Sequence, residues 1–270
     1  MNAVAAIVSK FLRDRGTHLA AMIAYFALLS FVPLLFLALS LVGLAGEPSA
    51  SSELVHQLKR AFPAASVDRL VEIVESAQRH ATAIGIVGGI GLLWGALGFF
   101  SVLESAFNIV YGLPNRSFVR QKAVVLLLVA VTLIVLFAAL LVASLGGDLA
   151  ARAGVAAGVV ANAYSIILST ALILAGVWTV YNVLTNAPLR WRDTLPGALI
   201  ASVLLQASFQ LLPIFVHGTR GLVALQAFGG LVLLLVWLYL MANVLVLGAE
   251  VNWWFAERRR TAEERPAGLA

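Results

Sequence analysis

Long apolar runs alternate along the chain with short polar stretches. The runs are Leu19–Ala45, Ala83–Tyr111, Ala123–Leu145, Ala161–Leu184, Leu195–Val216 and Leu222–Asn252. A helix needs about 20 apolar residues to cross the hydrocarbon of a bilayer, and each run reaches that length. Only helices and closed barrels satisfy their backbone groups in lipid. The pattern therefore predicts an all-α integral membrane protein, a six-helix transmembrane bundle, with residues 1–252 as one membrane domain and 253–270 as a polar tail. Pro33 interrupts the first run and predicts a kink near Leu29 and Ser30.

Two polar segments have helical spacing of their own. Val4, Val8, Phe11 and Leu12 recur beside Lys10, Arg13 and Arg15, which predicts an N-terminal amphipathic helix at the membrane surface. Between the first two runs, Leu54, Leu58 and Phe62, then Val67, Leu70, Val71 and Val74, flank Pro63. They predict two short outer-surface helices within an outer loop at 47–81. The first apolar run is too long for the core of a cleavable signal peptide, so it is expected to stay as a span.

Composition agrees with this pattern. Hydrophobic residues make up 61% of the 270 and charged residues 11%, against about 25% charge in a soluble domain. The net charge of +5 is explained by topology better than by nucleic-acid binding, because Lys and Arg gather in cytoplasmic loops. With the N-terminus inside, twelve basic residues fall on the cytoplasmic side and six on the outer side, and the short outer loops hold only Arg152 and Arg220. The topology is therefore N-in/C-in. Tyr111, Trp191, Trp253 and Trp254 then lie at cytoplasmic boundaries, where interfacial aromatics belong. There is no cysteine, so disulfide frameworks, thiol nucleophiles and thiolate metal sites are excluded.

Candidate chemistry is confined to a few positions. Gly88, Gly91, Gly95 and Gly98 share one face of the second run, suited to close helix packing or to a smooth wall along a substrate path. Thr194, Ala198, Ser202, Gln206 and Gln210 follow one another at i, i+4 in the fifth run. Amides in hydrocarbon need partners, so this stripe is expected to face the bundle or a water-filled cleft. As a candidate substrate path it comprises Ser202, Gln206 and Gln210, with Asn243 of the sixth run. Its alternative role is hydrogen-bond glue between helices. Glu104 and Glu250 are candidate intramembrane acids, as proton carriers or partners for a cation or headgroup. They can equally form ion pairs with Arg116, Arg190 or Arg192. His18, His56, His80 and His217 are scattered, and no metal-ligand spacing, nucleophile elbow or phosphate loop appears. No metal, cofactor or catalytic set is expected, and the chain reads as a non-enzyme.

Four stretches together resemble the YihY/BrkB family of bacterial inner-membrane proteins. They are Ala20 to Pro33, with Ala24-Tyr25-Phe26-Ala27-Leu28-Leu29-Ser30 at the centre; Trp94-Gly95-Ala96-Leu97 through Glu104 and Asn108 to Tyr111-Gly112; Asn186-Ala187-Pro188-Leu189-Arg190-Trp191-Arg192-Asp193 with Leu195-Pro196-Gly197-Ala198; and Leu235-Val236-Trp237-Leu238-Tyr239-Leu240 leading to Gly248-Ala249-Glu250-Val251-Asn252. The resemblance implies a six-span protein of the inner (plasma) membrane. Members have carried ribonuclease and virulence labels, and some are linked with export of envelope lipid or lipopolysaccharide. The residues here do not support a ribonuclease. The expectation is a transport or transport-accessory protein for a lipid or other amphipathic envelope component. Arg190 and Arg192 are then candidate headgroup contacts. The alternative is a scaffold whose glycine face and outer helices bind envelope proteins. Expected partners are membrane lipids, with room for envelope proteins and a homo-oligomer, and no nucleic acid.

Overall fold

The computed structural model describes residues 3–44, 81–130, 156–218 and 230–263. Among them the regular structure is all helical, with no strand. The helices are α1 (Ala3–Arg13), α2 (Gly16–Leu44), α3 (Ala81–Tyr111), α4 (118–130), α5 (Ala156–Leu184), α6 (Trp191–Gly218) and α7 (Gly230–Glu263). Three are long and apolar enough to cross a membrane, over Ile86–Tyr111, Trp191–Leu212 and Val232–Thr261. The predicted outer helices between Leu54 and Val74, and the far part of the third run, lie outside the described residues. So does 219–229, where the sixth run was expected to begin.

α2 continues through Pro33, as a span containing a proline can, and the Ser30 hydroxyl donates to the Phe26 carbonyl one turn back at 2.9 Å. One boundary differs from the pattern. α7 continues through the segment read as a polar tail as far as Glu263. Nothing in Trp253-Trp254-Phe255-Ala256-Glu257-Arg258 breaks a helix, and three arginines suit its C-terminal half, where the macrodipole favours cations.

The ends of α3 and α6 show how the local sequence shapes the chain. Gly112 takes φ +66° after α3, its N–H donates to Ile109 O at 3.0 Å and that of Leu113 to Asn108 O at 2.8 Å. This is the Schellman pattern, which favours glycine for its left-handed residue, and Pro114 follows. At α6 the Asp193 carboxylate accepts the Arg190 N–H at 3.2 Å. An acid three residues into a helix thus caps the residue before it.

The chain forms two compact units. In Ala20–Val102 with Ser208–Ala242, α2 and α3 meet along glycines. A Cβ at Gly91 would touch Pro33, one at Gly95 would touch Ser30 and one at Gly98 would touch the Phe26 ring. Gly88 is also buried. As one number rises the other falls, so the helices pack antiparallel at close range. In Met1–Leu19, Leu103–Ala207 and Asn243–Ala270, Leu103, Phe107, Tyr181, Leu184 and Val246 are fully buried. There α6 and α7 approach backbone to backbone at Gly197 and Gly248, where a Cβ on Gly197 would overlap the Gly248 carbonyl.

Candidate functional site

The second of these units buries an unusual set of polar groups. Glu104 and Asn108, one turn apart in the last turns of α3, are both fully buried. Arg116, on the loop after the Schellman cap, turns back over them. Its N–H donates to Glu104 Oε1 at 3.2 Å and its guanidinium lies 3.5 Å from the same oxygen. The guanidinium also donates to Leu184 O at 2.8 Å and Thr185 O at 3.3 Å. One arginine therefore pairs with Oε1 of a buried carboxylate and satisfies the carbonyls at the end of α5, while Glu104 Oε2 has no hydrogen-bond partner among the described residues.

Asn108 completes this tie between two loops. Its carbonyl accepts the Asn186 N–H at 2.8 Å, and its amide donates to Asn115 Oδ1 at 3.0 Å. Asn186 in turn donates to Pro114 O at 3.1 Å. The Tyr181 hydroxyl donates to Leu245 O at 2.7 Å, with its ring 5.1 Å from that of Phe107. Asn252 accepts the Gly197 N–H at 2.7 Å, and Asp193 pairs with Arg259. Nearby, the Lys10 ammonium donates to Asp14 in the turn after α1 and to Val110 O at 2.7 Å. It also lies 3.2 Å from Glu250 Oε2 and 4.4 Å from the centre of the Trp253 ring.

With this geometry in view, the sequence can be set against known proteins. The family model described as virulence factor BrkB matches residues 7–270. The chain belongs to the BrkB family. A putative ribonuclease-like protein, YfkH, of Bacillus subtilis is 25% identical over 96% of this chain and 97% of its own length. A UPF0761 membrane protein of Psychrobacter is 25% identical over 92% of this chain and 47% of its own. Another, from Chromohalobacter salexigens, is 26% identical over 94% and 63%. The chain thus spans about half to two thirds of those two relatives. No solved structure matches.

The BrkB-family chain is therefore a membrane protein, and the structure locates each candidate residue in it. Glu104 takes Arg116, one of the arginines considered for it, whereas Glu250 takes Lys10. Lys10 was expected on the solvated side of an amphipathic helix. Instead Lys10 and Phe11 are buried, while Val4, Val8 and Leu12 are exposed. The reason is local: the Phe11 ring fills the space over Gly16, and this turns Lys10 inward. Arg190 and Arg192 are both exposed, Arg192 lying 4.9 Å from the Trp191 ring.

The polar stripe of α6 changes character along its length. Thr194, Ala198 and Ser202 are buried, and the Ser202 hydroxyl donates to Ala198 O at 2.5 Å. Gln206 is half-buried and donates to Ser169 Oγ on α5 at 3.2 Å. Gln210 is exposed, and Asn243 on α7 is half-buried. The first half of the stripe is thus packed, and only its far end is accessible. The glycine row of α3 faces α2 within the chain. Among the described residues, no group of three or more His, Cys, Asp or Glu side chains could hold a metal ion.

Sequence reading gave no role to Lys10 at Glu250, to Asp193 with Arg259, or to the tie of Asn108 with Asn115 and Asn186. A capping acid after Arg190-Trp191-Arg192 was a usable signal for Asp193. The pairing of Lys10 with Glu250 had none, because 240 positions separate them.

Proposed function

We propose that this chain is a multi-pass protein of the bacterial inner membrane, a six-helix bundle with both ends cytoplasmic. We infer that it moves, or helps to move, a lipid or another amphipathic envelope component. The reading rests chiefly on Gln210. It is exposed on α6 while Leu211 to Val216 still follow it as apolar residues. A bare amide against hydrocarbon costs several kcal/mol, of order 2–7, so this face needs a polar neighbour. A headgroup sliding along α6 with its acyl chains in lipid supplies one, and Gln206 and Ser169 continue the polar track inward. On this reading Arg190 and Arg192 attract an anionic headgroup at the cytoplasmic end.

Reconstitution into proteoliposomes tests it. Gln210→Leu removes the amide from an exposed position and leaves the packing in place. Transbilayer movement of a fluorescent phospholipid is expected to fall about tenfold, the loss of one hydrogen bond to a charged group being worth about 1.5–3 kcal/mol. If Gln210→Leu and Gln206→Leu both move lipid at the wild-type rate, the proposal fails.

A further inference from the structure

Glu250 is fully buried on α7; its Oε2 lies 3.2 Å from the Lys10 ammonium, and its Oε1 has no hydrogen-bond partner among the described residues. Buried polar atoms are nearly always bonded, and an exception marks strain or a site built for something else. The neighbouring charge, the Lys10 ammonium, is shared. It donates to Asp14 and to Val110 O, and it forms an ion pair with Glu250 Oε2 at 3.2 Å.

Lys10 and Asp14 both belong to the α1 end of the chain and pair with each other. The fixed side of the arrangement is therefore Val110 O, Glu250 and Trp253. Val110 O is one of the two last-turn carbonyls that the Schellman cap leaves over, since Gly112 and Leu113 bond Ile109 and Asn108. It sits at the negative end of the α3 dipole. A carbonyl, a carboxylate and an aromatic face around one point are complementary to an ammonium: two accept N–H groups and the third attracts the cation. A primary ammonium offers three such N–H groups and a quaternary one none.

We propose that Val110, Glu250 and Trp253 form a receptor for a primary ammonium group, which Lys10 fills in this state. Its ligand is the ammonium of an aminophospholipid headgroup or of a free alkylamine. An untethered ammonium can turn two of its three N–H groups to Glu250, whereas Lys10 already donates to Asp14 and Val110 O. The exchange needs α1 to turn outward, and two features favour that movement. Arg15, at the junction with α2, holds φ +56°, a left-handed conformation that costs a non-glycine residue about 1–2 kcal/mol. Lys10 also keeps Asp14 as a counter-ion when it leaves. The receptor stands whether or not the chain moves lipid.

Chemical rescue in phosphatidylcholine nanodiscs tests the site on the full chain. Lys10→Ala is expected to lower Tm, and added ethylammonium to raise it again in a saturable way, as linkage requires. Tetramethylammonium is expected to restore far less, and Lys10→Ala/Glu250→Gln to show no response. Restoration by phosphatidylethanolamine in the disc without added amine identifies a headgroup as the source; restoration by ethylammonium alone identifies a free amine. Lys10→Met, which keeps the side-chain stem, gives the same readouts if Lys10→Ala does not fold. Exchange itself is read with Lys10 present. The chain has no cysteine, so a cysteine at half-buried Ile7, Ile7→Cys, is the single maleimide target, and ethylammonium or phosphatidylethanolamine is expected to speed its labelling several-fold. Equal rescue by tetramethylammonium, rescue that survives Glu250→Gln, no rescue at all, or unchanged labelling would overturn the proposal.

Discussion

The two compact units are held by different forces. Among the described residues, all nine buried polar or charged ones lie in Met1–Leu19, Leu103–Ala207 and Asn243–Ala270, where Arg116, Asn108, Asn186 and Asp193 tie loops to helix ends. The described buried residues of Ala20–Val102 with Ser208–Ala242 are apolar or glycine: Ala20, Ile23, Ala24, Gly88, Gly95, Ala96, Leu233, Trp237 and Ala242. Its closest described contacts are the glycines of α3 against α2. In lipid, apolar side chains gain nothing by leaving solvent, so helices associate through close van der Waals contact or through hydrogen bonds. Among the described residues the glycine unit relies on the first, while the polar unit adds hydrogen bonds to its own close approach at Gly197 and Gly248. The polar unit specifies partners atom by atom, and the glycine unit specifies only a distance.

That contrast can be broken from either side, and the largest effect is expected at Arg116. Arg116→Ala leaves Glu104 buried without its cation, which costs about 3–5 kcal/mol. The loss should appear as a large fall in Tm in detergent, and Arg116→Ala/Glu104→Gln should recover most of it. A single variant that melts with the wild type would remove the distinction between the units. Gly95→Leu attacks the other unit by forcing α2 away at Ser30, an overpacking cost of about 1–3 kcal/mol. Here no polar substitution nearby should compensate, as denaturant titration of the single and double variants would reveal. Tyr181→Phe deletes one buried hydrogen bond to Leu245 O and keeps the ring on Phe107, for about 1 kcal/mol. The smallest change belongs to Gly89→Ala. Nothing lies within 4 Å of a Cβ there, so stability should stay within about 0.5 kcal/mol of wild type. A large loss at Gly89 would mean that the glycine face is wider than the contacts with Pro33, Ser30 and Phe26.

Much of this was legible along the chain. Apolar runs announced helices wherever the structure describes them, because backbone groups in hydrocarbon leave no other open choice. Gly112 before Pro114 marked the end of α3, and Glu104 was identifiable as an acid that needed a partner. The direction of α1 was not legible. Val4, Val8 and Leu12 outline an apolar stripe as clearly as any core would, yet they are exposed. Once lipid is a solvent, hydrophobic periodicity no longer says which face is inside. The Gln206–Ser169 bond was similarly hidden, since a stripe on α6 does not say which helix stands opposite.

The sequence alone determined that this is a helical membrane protein of the BrkB family, where its described helices lie, and which few polar residues are too deep in apolar runs to be idle. These follow from local composition and length, which the bilayer reads directly. Only the tertiary structure decided that Arg116 belongs to Glu104, that Lys10 rather than an arginine faces Glu250, and that the polar stripe is packed at one end and accessible at the other. Those choices depend on which helices come within about 3 Å of each other at particular depths. Short-range hydrogen bonds and ion pairs settle them, and no periodicity along a single helix encodes that distance.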